Sequence, residues 1–214
     1  MPQSLQEYRN FLKEVDSHCS HLGNLHKSYL SCRRGCCECC TEISVLAIEA
    51  YSILRGVEGE LLPEAGKEAG TEENYDIPSG NCVFLDTEGA CRIYPFRPLI
   101  CRTHGLPLLY SIEEYSDQGK LSPSKEPQWQ LFYCDLNFQG ITEDQWEQVF
   151  SVEAVLSMEE LNEKLIRLNE KFRGSSDGIS FLKAVRQGRD GALAQKELFH
   201  TGRIPLSSLG WVLL

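Results

Sequence analysis

Residues 32–40 read Cys32-Arg33-Arg34-Gly35-Cys36-Cys37-Glu38-Cys39-Cys40. At such short separations several thiolates can reach one ion or cluster without the entropic cost of closing long loops. A buried free cysteine used as a small apolar residue accounts for an isolated thiol such as Cys19, but not for this density. The chain holds ten cysteines. Reduced thiols are the rule in the cytosol, where a disulfide framework is out of place, so metal ligation is the expected use. Gly35 is expected to let the backbone come close to sulfur.

Outward from this segment, Cys82, Cys91 and Cys101 form a second group, with Cys134 as a distant further thiol. A short strand-like run at Val83-Phe84-Leu85 and a turn at Thr87-Glu88-Gly89 precede Cys91. Arg33, Arg34, Arg92, Arg97 and Arg102 sit beside these cysteines in an otherwise acidic chain. Four thiolates around a divalent zinc leave a net charge of about −2, which nearby cations or N–H donors must stabilise. Thr103-His104-Gly105 directly after Cys101 offers an imidazole as ligand or acid/base group, beside the plainer reading of a surface-turn histidine. His18, His21, His26 and His200 are scattered and receive no role.

Helical periodicity frames the cysteines. Leu5, Tyr8, Phe11, Leu12, Val15, Cys19 and Leu22 predict an amphipathic helix over about 4–22, with Cys19 on its apolar stripe. Ser44 is expected to cap a helix through Val45, Leu46, Ile48, Tyr51, Ile53 and Leu54, with Gly56 as its stop. Residues 57–80, rich in Gly and Glu, read as a mobile surface insertion, and 113–128 as another exposed loop before the apolar run Trp129 to Cys134. The C-terminal region, 142–214, is read as helical. Thr142 with Gln145 and Ser157 with Glu160 suggest capping boxes, and Met158, Leu161, Leu165, Leu168 and Phe172 form a core-facing stripe.

Cys32-x3-Cys36-x2-Cys39-Cys40, the following helix with Glu49-Ala50, and the motifs Gly80-Asn81-Cys82-Val83-Phe84-Leu85-Asp86, Gly89-Ala90-Cys91-Arg92-Ile93-Tyr94 and Arg97-Pro98-Leu99-Ile100-Cys101-Arg102 resemble the YkgJ-type cysteine-cluster family. That family is described as a zinc- or iron-chelating domain, and the resemblance spans residues 32 to about 105. It implies Cys32, Cys36, Cys39, Cys40, Cys82, Cys91 and Cys101 as ligands, with Cys134 as the eighth and Cys37 as an additional cysteine inside the first motif. Eight thiolates exceed one tetrahedral zinc site. Two zinc sites, a bridged pair, or an iron–sulfur cluster with spare thiols all remain open. Successive side chains usually diverge, so Cys39 and Cys40 are expected to serve different metals or cluster edges unless the backbone turns sharply between them.

The expected fold is mainly α: one α-rich domain spanning 1–214, with short strands and turns organised around a cysteine metal site in a core at 32–134. With 42% hydrophobic residues and a formal net charge of −10, the chain is suited to a packed core and unsuited to anionic partners. No nucleic acid or membrane partner is expected, no protein partner is indicated, and the cytoplasm is the expected location. Two functions follow. One is metal binding through closed thiolate sites holding zinc or an iron–sulfur cluster. The other is an iron–sulfur enzyme, since Cys32-x3-Cys36-x2-Cys39 has the spacing of radical S-adenosylmethionine enzymes and the family resemblance extends distantly to flagellin lysine N-methylase. The pattern lacks the alternating strands and helices of a β/α barrel, which weighs against the enzyme.

Overall fold

The computed structural model describes residues 2–33, 35–59, 81–112, 128–187, 203–207 and 209. Helix α1 runs from Gln3 to Leu25 and buries Leu5, Tyr8, Phe11, Leu12, Val15 and Leu22 along one stripe, as the periodicity predicts. Helix α5, Met158–Arg173, presents Met158, Leu165, Leu168 and Phe172 to the same core, with Leu161 half-buried at its margin. Each such side chain contributes about 1.5–3 kcal/mol through removal from water. Helices α2 (Ala47–Gly59), α3 (Leu99–Thr103), α4 (Glu143–Val149) and α6 (Ser176–Gln187) complete the helical set among the described residues, so the fold is mainly α. No described helix is long and apolar enough to cross a membrane.

The strands are short. Strand β1, Ser44–Leu46, pairs antiparallel with β5, Arg203–Pro205. Strand β2, Leu108–Ile112, pairs antiparallel with β3, Gln128–Phe132, and parallel with β4, Leu156–Ser157. In β1 lies the first departure from the sequence expectation: Ser44 lies in a strand, and α2 begins only at Ala47. Val45 faces Ile204 across the ladder and both are buried, so a β-branched pair distant in sequence holds these residues in a strand. At the α2 entrance Glu49 Oε2 accepts the Leu46 N–H at 3.0 Å.

Gly56 does not stop α2, which continues to Gly59. A Cβ at position 56 would lie 2.3 Å from the Phe96 ring, so the glycine is there to let Phe96 close on the helix. Residues 57–59 of the expected insertion are therefore helix, and 60–80 lie outside the described residues, as do 113–127 of the second expected loop. In the C-terminal region, Thr142 and Gln145 form the expected capping box at α4, the Thr142 N–H donating to Gln145 Oε1 at 3.2 Å. Ser157 precedes α5 without a side-chain cap and sits in β4, and Arg203–Pro205 is strand, so this region is less uniformly helical than expected.

Candidate metal centre

Cys82 and Cys91 stand in two turns of the same design. At each, the cysteine carbonyl accepts the N–H three residues on, Leu85 to Cys82 at 3.2 Å and Tyr94 to Cys91 at 3.3 Å. At each, the sulfur receives the backbone N–H two residues on, from Phe84 and Ile93 respectively. A backbone N–H aimed at sulfur favours the thiolate, the form that binds metal. The turns flank a small hairpin in which Leu85 bridges Cys91, and the Arg92 N–H donates to the Phe84 carbonyl at 2.8 Å. The expected turn closes it: Asp86 Oδ1 accepts the N–H groups of Glu88 and Ala90, and Gly89 takes a positive φ of 75°.

The first cysteine segment folds as two further turns, Cys36 N–H to the Arg33 carbonyl at 3.1 Å and Cys40 N–H to the Cys37 carbonyl at 2.8 Å. The second reverses the chain at Cys39 and brings the Cys39 and Cys40 side chains into a direct hydrogen bond. The two sulfurs therefore lie together, the exception that a sharp turn allows. The segment then docks on the second cysteine group, with the Cys82 N–H donating to the Cys40 carbonyl at 3.0 Å and Thr41 bridging Asn81. Gly35 makes its close approach to backbone rather than to sulfur. A Cβ there would meet the Glu88 carbonyl oxygen at 3.3 Å, while one at Gly89 would meet the Gly35 carbonyl oxygen at 3.0 Å and Cys37 Sγ at 3.7 Å.

Cys101 reaches this group from α3. Its helix is set by the buried carboxylate of Glu49, whose Oε1 accepts the Leu99 N–H at 3.0 Å while Oε2 holds Leu46. One side chain thus joins the starts of α2 and α3. Electrostatics tie the thiols together. Burial pushes Cys101 up to about 12, and the Cys82 and Cys91 charges push the same way. Burial is also the leading cause for Cys82 and Cys91. The Cys40 hydrogen bond, ahead of burial, raises Cys39, and its counterpart from Cys39 lowers Cys40, which also feels Cys82, Cys91 and Cys101. Cys39, Cys40, Cys82, Cys91 and Cys101 therefore form one electrostatic group drawn from three segments.

The arginines divide. Arg97 stabilises thiolate charge at Cys39, Cys91 and Cys101, and its Nη1 donates to the Cys101 carbonyl at 3.0 Å while its guanidinium lies 3.7 Å over the Tyr94 ring. Arg102 turns away: Nη1 lies 2.7 Å from both Asp16 carboxylate oxygens, Nε donates to the Arg97 carbonyl at 2.7 Å and Nη2 to the Pro95 carbonyl at 2.8 Å. Its role is to fasten α3 to α1. Arg34 lies outside the described residues.

Cys32 stands apart, exposed, with its sulfur 3.3 Å from Nδ2 of Asn137, a residue only 1% exposed. Cys134 is half-buried, and its carbonyl accepts the Asn137 N–H at 2.8 Å. Sequence reading missed Asn137; the only available signal was an asparagine three residues beyond a cysteine, a position suited to a turn. Cys19 packs against the core from α1, and burial first, then Asp16, raises it to about 11. His104 ends α3, with a pKa lowered by partial burial. Buried His26 has Nε2 2.7 Å from the Ala154 carbonyl. All ten cysteines are free. Among the described residues, no three His, Cys, Asp or Glu side chains are gathered tightly enough to hold a metal ion as they stand.

Residues 31–124 match the CxxCxxCC family model, described as a "putative zinc- or iron-chelating domain". That segment, less than half of the chain, is similar to a CxxCxxCC domain. It contains all the cysteines of both groups and ends before Cys134 and Asn137. No curated protein and no solved structure matches the chain, so the distant likeness to flagellin lysine N-methylase has no support here.

Proposed function

We propose that the chain is a metal-binding protein that holds zinc or an iron–sulfur cluster through Cys32, Cys36, Cys39, Cys40, Cys82, Cys91, Cys101 and Cys134. The observation that carries this is the repeated turn at Cys82 and Cys91, each aiming a backbone N–H at sulfur, beside Cys40 and Cys101. Thiols, glycine-lined approaches and the Arg97 cation fit the charge and softness of a thiolate-bound metal. Zinc would supply a structural tie between segments, and an iron–sulfur cluster an electron-transfer centre. Drawing the thiolates into coordination is work that metal binding does as it folds such sites. Residues 32–134 are then the metal-binding core of a single-domain chain, and the reduced thiols suit the cytoplasm.

The test is elemental analysis and absorption spectroscopy of protein purified without oxygen, together with single serine substitutions. Wild-type protein should retain zinc or iron, with thiolate-to-iron absorption only in the iron case. Serine at Cys91 or Cys101 should lower metal content, because a hydroxyl is a much poorer ligand than a thiolate. Serine at Cys19 or Cys37 should leave stoichiometry unchanged. Metal-free wild-type protein would overturn the proposal. Metal loss in Cys37→Ser with Cys36→Ser unaffected would transfer that ligand position to Cys37.

A further inference from the structure

Beside Cys32 the structure builds a cradle from Asn137 and Gly105. Asn137 sits behind the sulfur, nearly inaccessible to solvent, and its carboxamide is fixed by two backbone groups. Oδ1 accepts the Ser31 N–H at 2.8 Å, and Nδ2 donates to the Gly105 carbonyl at 2.7 Å. Those two bonds decide which end of the amide is which, since reversing it would set donor against donor and acceptor against acceptor. The second N–H on Nδ2 is thereby directed at Cys32 Sγ, 3.3 Å away, whereas Oδ1 is 3.8 Å from the sulfur. The nearer contact is the one a thiolate can use, since a thiolate only accepts.

Two further observations show a built site. Gly105 has a φ of 93°, and a Cβ there would stand 2.9 Å from Cys32 Sγ and 3.4 Å from Asn137 Nδ2, so only the missing side chain makes room for the sulfur. Phe138, next to Asn137, is held at a φ of 57°, a left-handed conformation that costs a non-glycine residue about 1–2 kcal/mol. Its N–H donates to the Tyr29 carbonyl at 2.8 Å, and its ring packs against His26, Tyr29, Tyr133 and Phe150. This cluster pins the loop and with it Asn137.

We propose that Asn137 is a positioning residue of the metal site: its side-chain N–H holds the Cys32 thiolate, in the space left by Gly105, oriented to bind metal. This rests on the metal-binding reading above. Hydrogen bonds to ligand sulfur tune both affinity and, in iron–sulfur centres, potential, and their loss typically weakens metal binding about 10–100-fold.

The experiment measures zinc affinity of the full chain by competition with a chromophoric chelator, and the absorption of the cobalt(II)-substituted protein, for wild type, Asn137→Ala, Asn137→Asp, Cys32→Ser and the double variant Cys32→Ser/Asn137→Ala. Asn137→Ala should bind about 10–100-fold more weakly and lose thiolate-to-cobalt intensity. Asn137→Asp keeps the acceptor for Ser31 while removing the N–H donors, and should weaken binding at least as much. In the Cys32→Ser background Asn137→Ala should change affinity by no more than about 2-fold, because the partner it acts through is gone. An undiminished Asn137→Ala effect in that background would assign Asn137 a purely structural role and overturn the inference, as would unchanged affinity in both single Asn137 variants. If wild-type protein binds neither zinc nor cobalt and retains no iron when purified without oxygen, the metal-binding reading itself falls.

Discussion

Replacing Arg102 with methionine should destabilise the protein by about 2–3 kcal/mol, although it leaves every cysteine in place. The guanidinium side chain is only 8% exposed and meets Asp16 and the carbonyls of Arg97 and Pro95 at 2.7–2.8 Å. Breaking a fully buried ion pair costs about 3–5 kcal/mol, mostly through the charge left behind. Asp16 retains 48% side-chain exposure, so water re-solvates it and the expected loss lies below that range. For a chain of this length, 2–3 kcal/mol lowers the melting temperature by about 4–12 °C. Lysine at 102 keeps the charge but cannot span Asp16 and both carbonyls, so Arg102→Lys should recover only part of the loss. Thermal melting of the three metal-free proteins by circular dichroism measures this. If Arg102→Lys melts like wild type, charge rather than the fork geometry is what position 102 supplies, and the role assigned to Arg102 is wrong.

Two other substitutions test how α2, α3, α5 and α6 are joined. Gly178→Ala should destabilise by about 1–2 kcal/mol in chemical denaturation despite alanine's higher helix propensity, because its Cβ would stand 1.9 Å from the Phe172 carbonyl oxygen; a stabilised variant would show that α5 and α6 do not meet there. Glu49→Gln should cost about 1–3 kcal/mol, since an amide NH2 would face one of the two N–H groups the carboxylate now accepts. Burial raises the Glu49 pKa above the ordinary 4.5, outweighing its backbone hydrogen bonds. The unfolded chain thus ionises first, and this group's contribution to wild-type stability declines as pH rises from about 4.5 towards the folded value. The difference between wild type and Glu49→Gln should accordingly shrink with rising pH in denaturation series; a difference that widens would mean that the folded pKa is depressed.

From the sequence by itself came the mainly α character, the stripes of α1 and α5, the α4 capping box and the two cysteine groups, because each is a short-range pattern. Helical periodicity needs only neighbours three and four residues apart, and the density of residues 32–40 needs no partner to be conspicuous. Tertiary structure decided the rest. Ser44 enters a strand because Ile204, far along the chain, covers Val45, and Gly56 lies inside a helix because Phe96 closes on it. Arg97 and Arg102 are equivalent in sequence, yet one faces the thiols and the other fastens α3 to Asp16 on α1. Asn137 meets Cys32 across more than a hundred residues, and no local pattern encodes that meeting. Chain folding decides which groups share a buried volume, and there hydrogen-bond satisfaction, rather than propensity, selects the arrangement.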